Sequence, residues 1–130
     1  MLSASGRILV VDDEPPLLRM LSLYLSRLGY SVTTAETTDA AWSLVEADPS
    51  AFGVAVLDGS MSGMSMGDLA LRMLRANPAL RVLAASGYPL DMTELSEAAP
   101  GRVDFLQKPF TPEMLAAALR GLLGAQEKEL

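Results

Sequence analysis

The sequence predicts an α/β fold in three layers: a five-stranded parallel sheet, doubly wound, with helices on both faces. Two observations carry this. Short apolar runs of strand length alternate about five times with stretches whose apolar residues recur at helical spacing. Strands that alternate with helices build parallel sheets through crossover connections. Second, the apolar runs end on chemistry. Val11 gives way to Asp12-Asp13, Leu57 to Asp58-Gly59, Ala85 to Ser86-Gly87 and Gln107 to Lys108-Pro109. In open parallel sheets, sites form beyond the carboxyl ends of the strands, so one architecture collects these residues at one end of the sheet.

The elements follow in order. Arg7 to Val11 is apolar and β-branched, as a buried strand requires. Pro15 to Leu28 is a helix, because Leu18, Leu21, Leu25 and Leu28 share helical spacing, and Gly29 is its stop. Tyr30 to Ala35 carries Val32, Thr33 and Thr34 and reads as a second strand. Thr38 or Asp39 can cap a helix that runs through Trp42, Leu44 and Val45 until Pro49. Phe52 to Leu57 is the third strand. Gly67 to Ala76 is a helix with Leu69, Met73 and Leu74 on one side, ending at Asn77-Pro78. Leu80 to Ala85 is the fourth strand, Leu90 to Ala98 a short helix, Pro100-Gly101 a turn and Val103 to Gln107 the fifth strand. Thr111-Pro112 supplies an N-cap and a first helical residue. The helix it opens places Leu115, Ala118, Leu119 and Leu122 on one stripe and is expected to end at Gly124, leaving a frayed polar tail from Gln126 to Leu130. One domain is expected over residues 1–130, with its core at about 7–123 and short disordered ends.

Composition narrows the chemistry. Half of the 130 residues are hydrophobic, enough for a substantial core. There is no cysteine, which excludes disulfides, thiolate catalysis and Cys-ligated metals. There is no histidine, which excludes imidazole acid–base chemistry and a phosphohistidine carried by this chain. The net charge of −6, without a basic run, argues against direct nucleic-acid binding. No apolar stretch is long enough to span a membrane, and the first residues lack a signal peptide's basic segment. A cytoplasmic location is the expectation.

If the first and third strands are neighbours, Asp12, Asp13 and Asp58 converge. Three carboxylates together repel one another and are tolerated mainly when a hard divalent cation neutralises them. Ser86 and Lys108 bring a hydroxyl and an ammonium to the same place. Carboxylates, cation, hydroxyl and lysine together suit the handling of a phosphoryl group.

These residues, in this order, resemble the receiver domain of bacterial two-component response regulators. The likeness rests on Val10-Val11-Asp12-Asp13-Glu14, Leu57-Asp58, Met61 and Gly63, Ala85-Ser86-Gly87 and Phe105-Leu106-Gln107-Lys108-Pro109-Phe110, and covers about Arg7 to Leu123. It implies the flavodoxin-like strand order 2-1-3-4-5. It implies that Asp58 takes a phosphoryl group from the phosphohistidine of a histidine kinase or His-phosphotransfer protein. It implies Mg²⁺ or Mn²⁺ held by Asp12, Asp13, Asp58 and the backbone carbonyl of Ser60. Lys108 and Ser86 would bind the phosphoryl oxygens. Ser86 and Phe105 would form a switch that reshapes the face made by the fourth helix, fifth strand and fifth helix for a downstream protein. Ser60 and Tyr88 would tune dephosphorylation, a bulky Tyr88 slowing it, and Lys108-Pro109 would be a cis peptide. A monomer or a phosphorylation-dependent dimer is implied. So is a phosphoryl acceptor that acts only on itself and is not otherwise an enzyme.

The resemblance departs from the family's pattern in the loop after Asp58. Ser62 stands where the family often has proline, and Met66 stands where it often has glycine, with Gly67 next. This implies a different entry into the third helix. Taken singly, some residues also have simpler readings. Asp12 and Asp13 could be helix caps, Asp58 a turn former and Phe105 core packing. Two whole-chain alternatives compete with the phosphoacceptor, namely an interaction module that never turns over phosphate and a receiver fragment of a hybrid histidine kinase. An aspartyl-phosphate phosphatase resembling the haloacid dehalogenases would need a second Asp where Ser60 stands.

Overall fold

The structure, a computed structural model, describes residues 7–127 apart from Ser60 and Ser62. Its elements run β1 (Arg7–Val11), α1 (Pro15–Arg27), β2 (Ser31–Ala35), α2 (Thr38–Ala47), β3 (Val54–Asp58), α3 (Met66–Ala76), β4 (Arg81–Ser86), α4 (Thr93–Ala98), β5 (Val103–Gln107) and α5 (Pro112–Glu127). The five strands pair in the order β2-β1-β3-β4-β5, every pair parallel. Both the alternation and the strand order match the expectation.

Side chains alternate across a strand, and the apolar runs exploit both faces. Leu9, Val11, Ala55, Leu57 and Val82 pack with Ala41 and Val45 of α2, Leu69 and Met73 of α3 and Leu95 of α4. Ile8, Val10, Val54, Val56 and Leu83 pack on the other face with Leu18, Leu21 and Leu25 of α1 and Leu115, Leu119 and Leu122 of α5. The three central strands are covered twice, which is why they read as unbroken apolar runs. Each fully buried leucine contributes about 2–3 kcal/mol. β2 and β5 lie at the edges and are only half covered.

Local chemistry sets the element ends. Gly29 closes α1 at φ +100°. Its N–H donates to the Ser26 carbonyl and the Tyr30 N–H to the Leu25 carbonyl, so two carbonyls of the last turn are satisfied. In six places the boundaries correct the sequence reading. The cap of α2 is Thr37, whose hydroxyl accepts from the Ala40 N–H at 3.0 Å, while Thr38 is turned inward and buried. β3 and β4 extend onto Asp58 and Ser86, because ladder pairing depends on the backbone and ignores side-chain polarity. α3 starts at Met66, one residue earlier than expected, with the Ser65 hydroxyl accepting from the Asp68 N–H. α4 starts at Thr93 rather than Leu90, because the Asp91 carboxylate accepts from the Thr93 N–H and holds the preceding residues in a turn. α5 does not stop at Gly124. No positive φ breaks the helix there, and buried Leu122 and Leu123 anchor its later turns, so it continues to Glu127.

Candidate site at the carboxyl end of the sheet

Reversal of strand order puts β1 beside β3, with Val11 paired to Leu57. The next residue on each strand is then Asp12 or Asp58, side by side. Both are buried, whereas Asp13 is exposed. Carboxylate oxygens from Asp12, Asp13 and Asp58 all lie within 4.8 Å of one another. Asp12 is fixed at both ends: its N–H donates to the Ala35 carbonyl at 3.1 Å, and its Oδ1 accepts from the Glu14 N–H at 3.1 Å. This is a turn contact ahead of α1, whose N-cap is Glu14 with no side-chain cap, and the second carboxylate oxygen remains for the site.

Lys108 follows β5, and its stem carries the ammonium across the sheet end to β1 and β3. Nζ donates to Asp12 Oδ2 at 3.0 Å and pairs with Asp58 Oδ1 at 3.3 Å. Burial alone would depress its pKa. The hydrogen bond and charge of Asp12, joined by the charge and hydrogen bond of Asp58, outweigh burial and hold it above the ordinary lysine value. The Lys108–Pro109 peptide is cis. A groove of about 420 Å³, lined by Glu14, Leu17, Gly87, Lys108, Pro109 and Phe110, opens beside the ammonium.

Backbone bonds tie the strand ends together. The Gly59 N–H donates to the Ala85 carbonyl at 2.7 Å, and the Lys108 N–H donates to the Ser86 carbonyl at 2.8 Å. Ser86 is buried, and its hydroxyl oxygen accepts from the Tyr88 N–H at 3.0 Å. The hydroxyl proton is thereby left to donate elsewhere. Tyr88 itself is 72% exposed. Phe105 sits on β5 opposite Ala84, half-buried, on the face that carries α4. The carbonyl of Ser60 lies outside the described residues, as does Ser62.

One end of the sheet thus gathers Asp12, Asp13, Asp58, Ser86 and Lys108. Three carboxylates face one ammonium, so negative charge remains in excess. The donors are all oxygens, the set that suits a hard divalent cation such as Mg²⁺. Two residues that shape this site escaped the sequence reading. In the sequence Gly59 is only the residue after Asp58, yet it packs directly against Ser86. Thr38 looked like a cap, yet its buried hydroxyl lies where a Cβ on Gly63 would come within 3.1 Å, so the loop after Asp58 rests on the start of α2. No local signal in the sequence reports either contact.

Comparison with known proteins gives a concordant picture. The family model of the response regulator receiver domain matches residues 8–120. The probable transcriptional regulatory protein TcrX of Mycobacterium tuberculosis is 34% identical over 116 residues, which is 89% of this chain and 49% of that protein. The chain therefore spans about half the length of that curated relative. A receiver domain protein from Methanospirillum hungatei, described as CheY-like, superposes with a TM-score of 0.83 at 26% identity, covering 95% of this chain and 98% of that one. A response regulator protein from Burkholderia pseudomallei, solved with a phosphorylated aspartic acid, calcium ion and citrate, superposes at 0.74 with 28% identity, covering 95% of this chain and 72% of that one.

Proposed function

Because the chain belongs to the response regulator receiver domain family, we propose that it accepts a phosphoryl group on Asp58 from the phosphohistidine of a histidine kinase or His-phosphotransfer protein. The observation that carries this reading is the Lys108 ammonium held at 3.0 and 3.3 Å from two buried carboxylates in a cluster of three. In the transfer, an Asp58 carboxylate oxygen forms the new bond to phosphorus as the bond to the donor's imidazole nitrogen breaks. The protein's task is positioning and charge neutralisation. The carboxylates of Asp12, Asp13 and Asp58, with the Ser60 carbonyl, would hold Mg²⁺ or Mn²⁺, which would supply positive charge for the transfer. Lys108 moves its hydrogen bond from carboxylate to phosphoryl oxygen, exchanging one charge-assisted contact for another. Ser86 donates its hydroxyl proton to a second phosphoryl oxygen. The groove of Leu17, Pro109 and Phe110 supports the approach of the donor next to Lys108. The phosphorylated neighbour from Burkholderia pseudomallei supports the same chemistry by likeness.

The new group brings close to two negative charges and strong acceptors. Drawing Ser86 toward it displaces the loop between β4 and α4, and Phe105 on β5 repacks beside that loop. The face of α4, β5 and α5 is then the surface offered to a downstream protein, the chain acting as a monomer or as a phosphorylation-dependent dimer. Ser60 and Tyr88 set the lifetime of the acyl phosphate. The acidic charge balance supports a protein target over direct nucleic-acid contact by these residues.

The test is intact-protein mass after incubation with acetyl phosphate and Mg²⁺, beside an Asp58→Asn control. A single phosphoryl adduct on the wild type, absent without the metal and absent from the variant, is expected. An equal adduct on Asp58→Asn would remove Asp58 as the acceptor.

A further inference from the structure

We infer that Gly59 is a positioning residue for the phosphorylated state: its missing side chain is the space that lets the loop after β4 seat the Ser86 hydroxyl beside Asp58. This inference rests on the reading of Asp58 as acceptor and extends it to a residue whose importance is purely spatial.

Gly59 does not need to be glycine for its backbone. Positive φ occurs at Gly29, Gly63 and Gly101 but not here, so alanine could adopt this conformation. Its neighbours leave little room. A Cβ on Gly59 would lie 3.1 Å from the Ser86 Cβ, 3.1 Å from Leu90 Cδ1 and 3.4 Å from Ser86 Oγ. At Gly67, Gly87, Gly121 and Gly124 a Cβ would meet nothing within 4 Å. Gly63 is crowded too, 3.1 Å from Thr38 Oγ1, but its positive φ already calls for glycine; at Gly59 the crowding alone does.

Before phosphorylation Ser86 is held in place. It is 1% exposed and is the last residue of β4. Its carbonyl holds the Lys108 N–H at 2.8 Å, and its hydroxyl holds the Tyr88 N–H at 3.0 Å. Gly59 is itself clamped to the Ala85 carbonyl at 2.7 Å. A methyl group at position 59 would wedge between the ends of β3 and β4 and shift Ser86 by a few tenths of an ångström. Charge-assisted O–H···O bonds are short and weaken steeply as geometry degrades. The displaced hydroxyl would then reach the phosphoryl oxygens poorly, while the carboxylates of Asp12 and Asp13, on the far side of β3 from β4, would keep their places.

The test measures affinity for beryllofluoride in the presence of Mg²⁺, and for Mg²⁺ alone, by titration calorimetry of the whole chain. Wild type, Gly59→Ala, Ser86→Ala and the double variant are compared. Gly59→Ala is expected to weaken beryllofluoride binding about tenfold and to leave Mg²⁺ binding unchanged. The double variant should bind no more weakly than Ser86→Ala, since no hydroxyl remains to misplace. Wild-type affinity in Gly59→Ala, or a full second loss in the double variant, would overturn the inference. Leu90→Ala clears one of the two 3.1 Å contacts, so the pair Gly59→Ala/Leu90→Ala serves if Gly59→Ala does not fold. It should bind beryllofluoride more weakly than Leu90→Ala alone while Ser86 is present, and equal affinity overturns the inference. A wild-type chain that binds Mg²⁺ but no beryllofluoride would instead defeat the acceptor reading on which the inference rests.

Discussion

At the amino end of the sheet, polar side chains serve the backbone. Arg102 donates from Nε to the Leu80 carbonyl at 2.9 Å and from a terminal nitrogen to the carbonyls of Asn77 and Leu74 at 2.8 and 3.1 Å. Asn77 donates to the Phe52 carbonyl at 3.3 Å, and Arg81 to the Gly101 carbonyl at 3.3 Å. At the carboxyl end, Lys108 ignores carbonyls and reaches two carboxylates, while a third carboxylate stands by. The first arrangement satisfies groups that helix ends and loops leave unpaired. The second concentrates like charges and spends a lysine to hold them. The two ends of one sheet therefore divide the work: one locks the fold and the other keeps charge available for chemistry.

This contrast can be broken most forcefully at Arg102. Arg102→Ala removes three hydrogen bonds from a guanidinium whose pKa is lowered by burial and then by the charge of Arg81. A loss of about 2–4 kcal/mol in chemical denaturation is expected. The phosphoryl adduct at Asp58 should still form in the folded variant; its loss there would merge the two ends into one functional unit. A smaller effect is expected from Lys108→Met. Without divalent cation it should cost about 1–2 kcal/mol, between the values for exposed and buried pairs, because Asp12 and Asp58 lose the ammonium they share. Added Mg²⁺ should raise the midpoint of the variant more than that of the wild type. Equal shifts would mean that lysine and metal do not compete for the same charge. The smallest effect is expected at Thr111, whose hydroxyl accepts from the Met114 N–H at 3.1 Å at the start of α5. Thr111→Ala should cost about 1 kcal/mol and leave phosphorylation untouched. Failure of phosphorylation there would show that even helix caps at this end belong to the site.

Much of this was legible because burial leaves a periodic trace. Ile8-Leu9-Val10-Val11 and Val54-Ala55-Val56-Leu57 announce strands covered on both faces, and an acidic residue at the end of such a run is conspicuous. Asp12, Asp13, Asp58, Ser86 and Lys108 lie at or just beyond strand ends. What escaped the sequence depends on contacts between distant segments. Arg102 reaches carbonyls more than twenty residues away, at Leu74, Asn77 and Leu80, and nothing around Arg102 marks it as a cap. Thr37 and Thr38 are equivalent as letters, and only the direction each one faces decides which is the cap. Gly124 looked like a helix stop because glycine usually is one, but buried leucines on the preceding turn overrode its propensity.

The brevity of α4 has a consequence for motion. With six residues, it is far shorter than a helix that persists alone. Leu95 within it and Ala99 just beyond it are its buried anchors. Its amides should therefore exchange with deuterium through local opening, at a free energy well below that of global unfolding. Amides of β1, β3 and β4 should wait for the whole domain to open. The segment between Ser86 and β5 can thus melt and re-form while the sheet stays folded, so a rearrangement there needs no breach of the core.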